Sequence, residues 1–221
     1  MTERPILFSA PMVRAVLSGT KTQTRRPIKS RSRKHPTFAL QQEEFGWWPY
    51  LSDDGESIVT GDGMEIPMVC PFGEPGDQLW VREAFSGSIA YERHGYPLKE
   101  WGNKIHYLAE GNPRSGDWTK PRPSIHMPRA LSRITLEITD VRVEQLQDIT
   151  DADSQAEGAP CYVCGGALDG RSESDCHCFH RKAFVHDFRL LWESINGPES
   201  WSANPWVWVV EFQRISAARG E

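Results

Sequence analysis

Residues 132–143 read Ser132-Arg-Ile-Thr-Leu-Glu-Ile-Thr-Asp-Val-Arg-Val143. Ile134, Leu136 and Ile138 alternate with Thr135, Glu137 and Thr139, the period of two that buries one face of a strand. Further on the period changes. Thr150-Asp-Ala-Asp153 is a capping-box pattern opening a short helix, with Asp151 and Asp153 at its positive end, Glu157 in its last turn and Gly158 placed to end it. A carboxylate at a helix C-terminus opposes the helix dipole, so another group has to hold Glu157. Residues 181–195 form the strongest helical pattern, with Phe184, Phe188, Leu191 and Ile195 on one face and Asn196-Gly197 as a stop. Residues 206–212 return to a strand, placing Trp206, Trp208, Val210 and Phe212 on one face.

The upstream half follows the same alternation of types. Ile6-Leu-Phe is a short strand. Residues 9–19 form a helix in which Ser9 can accept first-turn amides, Pro11 sits where no donor is missed, Gly19 supplies a left-handed exit, and Met12 or Val13, Val16 and Leu17 make the buried stripe. Pro75-Gly76-Asp77 launches a strand with Leu79, Val81 and Glu83 facing one way and Trp80, Arg82 and Ala84 the other. Residues 104–109 give one more short strand. Several short, non-consecutive strands with two or three helices between them predict an α+β class and a small mixed β-barrel with flanking helices. One domain over residues 1–221 is expected, with insertions at about 29–75, 86–122 and 159–180. The first insertion reads as irregular chain packed on Phe45, Trp47, Trp48 and Tyr50.

Composition bounds the function. With 38% hydrophobic and 25% charged residues, disordered and fibrous classes are excluded. The longest strongly apolar run, residues 206–210, is far short of the ~20 residues of a membrane span, and no signal-peptide stretch opens the chain, so a cytoplasmic protein without a membrane partner is expected. The net charge of −5 hides a basic segment. From Arg4 to Gln42 there are nine Lys and Arg and no acid, a local field that suits phosphate or nucleic acid and equally describes a solvated basic loop.

Four of the five cysteines lie at Cys161, Cys164, Cys176 and Cys178. A C-x2-C knuckle followed by glycines, then C-x-C, suits structural Zn2+ held tetrahedrally in a reducing compartment, with His177 or His180 able to replace one thiolate. A site closed by four ligands has no open position for catalysis. Cys70, alone, reads as a buried small hydrophobe.

In Gly19-Thr-Lys21-Thr-Gln-Thr24-Arg25-Arg26, an amine and a hydroxyl lie three residues apart after a helix end. If the chain turns there, Thr24 is a nucleophile and Lys21 its base, provided that burial or the charges of Arg25 and Arg26 lower the lysine pKa. On spacing alone the other reading leads, because such tripeptides are common: Lys21, Arg25 and Arg26 bind anions and the threonines are strand residues. Trp80 beside Arg82 is a candidate platform for an unpaired base, whereas Trp192, Trp206 and Trp208 have core spacing. His106, Tyr107 and His126 fall near the expected pocket without the spacing of a ligand set.

The Gly19-x-Lys21-Thr22-x-Thr24-x-Arg26 motif resembles the signature of the ASCH domain family, whose fold is a β-barrel related to the PUA domain. Gly76-Asp77-Gln-Leu79-Trp-Val81, the strand at 134–143, the segment 146–158 ending in Glu157-Gly158, and the 206–212 strand match that family in order. Phe8-Ser-Ala-Pro-Met-Val-Arg-Ala, Pro123-Ser-Ile-His-Met-Pro-Arg and Trp192-Glu-Ser-Ile-Asn-Gly are similar to a phage- and prophage-encoded subgroup, implying a bacterial host cell. The resemblance implies an amidohydrolase that removes the acetyl group of N4-acetylcytidine through Lys21, Thr24 and Glu157, with no cofactor in catalysis and with Arg25, Arg26, Trp80 and Arg82 at the nucleoside or single-stranded RNA. Other ASCH proteins are associated with RNA binding or RNA cleavage, so a non-catalytic RNA- or DNA-binding module and a ribonuclease remain alternatives. Compact members of the family lack the three insertions, any of which can line, cover or block the pocket.

Overall fold

The computed structural model describes residues 1–97, 100–101, 104–113, 116–159 and 184–215. The chain runs β1 (Glu3–Leu7), α1 (Ala10–Ser18), β2 (Gln23–Pro27), β3 (Thr37–Glu43), β4 (Gly46–Ser52), β5 (Gln78–Arg82), β6 (Phe85–Gly87), α2 (Ile89–Arg93), β7 (Ile105–Tyr107), β8 (Thr135–Gln145), α3 (Asp151–Ala156), α4 (Phe184–Asn196) and β9 (Trp206–Ile215). The α+β class follows directly. The main sheet has the order β1-β5-β8-β9-β2, with β1 parallel to β5 and every other pair antiparallel.

The sheet is open, where a barrel was expected. Its two edge strands each carry a proline, Pro5 in β1 and Pro27 in β2, and a residue without an amide donor belongs at a sheet edge. Side chains span the gap instead of a ladder: Arg26 Nη2 donates to Leu7 O (2.9 Å), and Phe8 packs against Phe212 with ring centroids 6.1 Å apart.

The strand read at 132–143 is β8, shifted downstream. It pairs with β9 along nearly its whole length, and one register shift makes Thr139 an extra residue between Ile138↔Phe212 and Asp140↔Glu211. The bulge moves the inward set from Leu136 and Ile138 to Val141 and Val143. β9 is buried on both faces. Trp208, Val210 and Phe212 pack with Leu79, Val81, Leu136, Ile138 and the α1 residues Val13 and Val16; Val207 and Val209 pack with Leu146, Ile149 and the α4 residues Phe188 and Trp192.

Three local expectations change. The buried residues of α1 are Val13, Ala15 and Val16, while Leu17 is exposed, and Ser9 makes no side-chain cap bond. Gly19 does take the left-handed exit (φ +81°). Residues 29–75 are not irregular throughout: β3 and β4 form a seven-pair hairpin, turned at Gly46 (φ +124°). The hairpin rests on β9 through Trp47 with Trp206 (5.6 Å) and Trp48 with Trp208 (5.2 Å). In residues 86–122, the strand expected at 104–109 is reduced to β7, which pairs with β6. Cys70 is buried, and burial pushes its thiol up from the ordinary value. Among the described residues no helix is long and apolar enough to cross a membrane.

The turn before β5 is held by Asp77, which accepts from Thr2 N (2.6 Å), Thr2 Oγ1 (2.7 Å) and Arg4 Nη1 (2.6 Å). The bonds from Thr2, joined by Arg4, hold its carboxyl well below the usual carboxylate range. A lowered folded value contributes stability that is complete above about pH 4 and is lost as pH falls through that value. Asp77→Asn is therefore expected to lower the thermal midpoint at neutral pH, and the deficit to shrink as melts are repeated at progressively lower pH below about 4.

Candidate active site

The end of α1 and the end of α3 are tied to the same loop. Ala15 O accepts from Thr20 N (2.9 Å) and Lys21 N (3.0 Å), Thr22 N donates to Ala156 O (2.8 Å), and Lys21 bridges to Glu157 as an isolated antiparallel pair. α3 begins with the predicted box: the Thr150 hydroxyl accepts from Asp153 N, and the Asp153 carboxylate accepts from Thr150 N. Burial works against the Asp153 charge, but the Thr150 hydroxyl and amide win and hold it down to about 2. Gly158 takes φ +65°, and a Cβ there would lie 2.8 Å from Ala15 Cβ and 2.9 Å from Lys21 Cβ.

This approach inserts the Lys21 side chain under the α3 terminus. Lys21 Nζ donates to Gln23 O (2.8 Å), Glu157 O (2.8 Å) and Glu157 Oε2 (2.9 Å), and lies 5.4 Å from the centroid of the Phe8 ring. The lysine is thus the group that holds an acid at a helix C-terminus, by neutralising its carboxylate and capping its carbonyl. Three acceptors match the three donors of an ammonium. Burial nevertheless pushes the Lys21 pKa below its ordinary value, with Glu157 opposing the shift and Arg26 and Arg25 adding to it.

Arg25 closes the cluster. Its side chain is fully buried, with Nη2 at 2.9 Å from Glu144 and 3.5 Å from Asp153, and Nη1 at 3.4 Å from Glu157. Arg142 continues the charge network through Glu144, Asp153 and Glu211. Arg25 was expected at a nucleic acid; its guanidinium is instead engaged by three carboxylates of the chain itself.

Thr24 follows on the edge strand β2, also buried, and lines a cavity of about 50 Å³ with Arg25, Arg26, Glu157 and the α4 residues Phe188 and Trp192. Such a volume admits a few waters or a small acyl group. Among the described residues no hydrogen bond engages the Thr24 hydroxyl, and none joins it to Lys21. Three residues lining this cavity carry buried donors without an acceptor among the described residues: Arg25 Nε, Arg26 Nε and Trp192 Nε1. An unmet buried donor costs about 1–3 kcal/mol, so a ligand acceptor reaching any of them would relieve a cost that the described residues leave standing.

The structure therefore brings together Lys21, Thr24, Arg25, Arg26 and Glu157. Neither Trp80 nor Arg82 lines the Thr24 cavity: along the sheet β8 and β9 stand between β5 and β2, and on the other side Arg82 is paired with Leu7 of β1, whose carbonyl Arg26 reaches. Trp80 is half-buried with Arg82 5.4 Å from its ring, and Arg82 donates to Ile125 O. α4 occupies the place expected for the Trp80 strand. Sequence reading missed Glu144 and Asp153 as partners of Arg25, because their proximity comes from β8 and α3 crossing near β2. It also assigned Trp192 to the core without its cavity face; only its unmet indole donor gives that role away. His106 and Tyr107 sit on β7, where His106 Nε2 lies 2.7 Å from Gly111 O and Tyr107 donates to Leu131 O. Cys161, Cys164, Cys176 and Cys178, with His177 and His180, lie outside the described residues. Among the described residues no cluster of metal-ligating side chains occurs.

Comparison of the chain with protein-family models, curated proteins and solved structures finds no match.

Removing one partner of a buried pair leaves the other charge uncompensated. Glu157→Gln is expected to cost roughly 3–5 kcal/mol in urea unfolding, and Lys21→Met less, since Glu157 keeps Arg25. Gly158→Ala, which combines a left-handed backbone with a Cβ clash, should cost about 2 kcal/mol in the same assay. Equal stability of all three variants with the parent chain would show that the loop is held by something other than this contact.

Proposed function

We propose that the chain is an ASCH-type hydrolase acting on an exocyclic amide of a nucleobase, N4-acetylcytidine being the most concrete substrate. The observation that carries this reading is a threonine hydroxyl with no partner among the described residues, in a small cavity lined by Arg25 and Arg26, beside a desolvated lysine paired with a glutamate. On this reading the open sheet is a PUA-like barrel parted between β1 and β2. The 159–180 segment is a zinc-stapled insertion with no part in catalysis, and the setting is bacterial cytoplasm with a phage or prophage origin. These accompany the family resemblance in the motif.

The chemistry assigns each group a task. Neutral Lys21 takes the proton of Thr24, whose Oγ attacks the acetyl carbonyl; the carbon–nitrogen bond breaks as the exocyclic nitrogen receives that proton from Lys21. Water then hydrolyses the acetyl-threonine ester, releasing acetate and restoring the hydroxyl. For the first step Nζ has to exchange an acceptor for Thr24, three residues along the chain. The unmet donors of Arg26 and Trp192 suit the oxygen that becomes negative during attack. Glu157 positions Lys21.

One observation favours a second reading. Nζ has the three acceptors of a permanent ammonium, which fits a structural lysine; a non-catalytic RNA- or DNA-binding module would then hold phosphates through Arg26 and its exposed basic neighbours rather than through Lys21 or Arg25. A ribonuclease would have to draw on the same Lys21 and Glu157.

Chromatography of N4-acetylcytidine incubated with the protein is expected to show cytidine, and Lys21→Ala, Thr24→Ala and Glu157→Ala each to reduce the rate more than about 100-fold. No conversion by the parent chain would sink the reading and favour the binding module. The pH profile tests the base separately. Activity should rise as pH passes upward through the lowered Lys21 pKa. Because the Glu157 carboxylate raises that pKa, Glu157→Gln should move the acidic limb of its residual activity to lower pH.

A further inference from the structure

A second, larger cavity of about 330 Å³ shares Arg26 and Pro27 with the Thr24 cavity. Its apolar surface comes from Met68, Val69 and Phe72, with the buried Trp208 at its floor, its charge comes from Arg26, Lys29 and Arg31, and among the described residues no aspartate or glutamate lines it. The first insertion builds one wall. Trp48 Nε1 donates to Met68 O (3.0 Å), Met68 N donates to Pro49 O (2.8 Å), and Trp48 is seated edge-on against Trp208, so the wall is fixed to β9.

Two of the three cations have no acid partner among the described residues, and Arg26 feels the Glu157 carboxylate. Lys34 pairs with Asp62, Arg122 with Glu92, Arg129 with Glu3 and Arg133 with Glu83, but among the described residues Lys29 and Arg31 meet no acid. Arg26 spends Nη2 on Leu7 O and its Nε is the donor already assigned to the Thr24 cavity, so it contributes its charge to this one while Lys29 and Arg31 supply the free donors. Two guanidinium groups and an ammonium around an apolar cup suit a doubly charged group attached to a flat or apolar body. Guanidinium forks match phosphate oxygens in pairs, and apolar surface beside them takes a sugar or base. The size falls at the lower end of ordinary small-ligand sites, ~300–1,000 Å³.

We propose that this cavity is a subsite for the phosphate-bearing part of a nucleotide, so that the ligand offered to Thr24 is phosphorylated rather than a free nucleoside. The proposal rests on reading the Thr24 cavity as the site of a nucleobase acyl group, with Arg26 standing between the two. It gives the first insertion a purpose in substrate choice.

Titration calorimetry of the full chain with cytidine, cytidine 5′-monophosphate and tetracytidylate tests it. The monophosphate is expected to bind at least about tenfold more tightly than cytidine, with an affinity that falls as salt rises. Lys29→Ala/Arg31→Ala should abolish the difference while leaving the melting temperature unchanged, since both side chains are exposed. Tetracytidylate binding more tightly than the monophosphate identifies a strand as the source of the phosphate; equal binding identifies a terminal phosphate, and either supports the subsite. Equal affinity for cytidine and the monophosphate, no binding of the monophosphate, or a double variant that binds it as the parent does overturns the proposal. Thr24→Ala separates the two readings. Phosphate preference without any hydrolysis keeps the subsite and removes the hydrolase, whereas hydrolysis with no phosphate preference does the reverse.

Discussion

The pairing of Lys21 with Glu157 is the contact on which the site depends, and it is a costly one. Both side chains are almost wholly removed from water, a transfer that penalises each ion by several kcal/mol before any attraction is counted. What makes it tolerable is the completeness of the surroundings. Every donor of the ammonium has an acceptor, and the carboxylate is shared with Arg25, itself shared with Glu144 and Asp153. An apolar contact would join α1, β2 and α3 as firmly. It would not fix which atoms face one another, nor hold a lysine in surroundings that lower its pKa.

The sheet carries the same logic outward. Prolines end pairing at both edges, so the space between β1 and β2 is filled by Phe8, Phe212 and the reach of Arg26 rather than by backbone. An edge kept free in this way leaves β2 available to line cavities, with α4 on one and the β3–β4 hairpin segment on the other. Arg26 belongs to both because it lies on that edge.

Local patterns were legible wherever a short stretch of chain decides its own shape. The Thr150 capping box, the Gly19 exit, the alternation that became β8, and the Lys21, Thr24 and Glu157 grouping were all readable in the sequence, the last through a motif resemblance. What failed to show was set by distant chain. No periodicity says that β8 and β9 stand between β5 and β2 along the sheet, which is why Trp80 and Arg82 were expected to line a cavity that they do not line. The bulge at Thr139 is a single residue inside an otherwise regular alternation. The hairpin was obscured because Glu44-Phe45-Gly46 lacks the usual turn dipeptides and the Trp47-Trp48-Pro49 strand does not alternate. Arg25 looked like a ligand for phosphate because a sequence displays charge but not the carboxylates that later surround it.

β9, buried on both faces and flanked by β8 and β2, also sets the order in which the chain can complete itself. It is the last of the described strands to leave the ribosome, about sixty residues after β8, which at ~5–20 residues per second is a delay of roughly 3–12 s. Until it arrives, neither core has its middle layer, and β2 has no partner strand. The nascent chain therefore waits with its basic first segment and unpaired edges exposed. That interval is when aggregation or a chaperone would compete for it, and β9, the strand that joins β2 to the rest of the sheet, is also the one that closes the window.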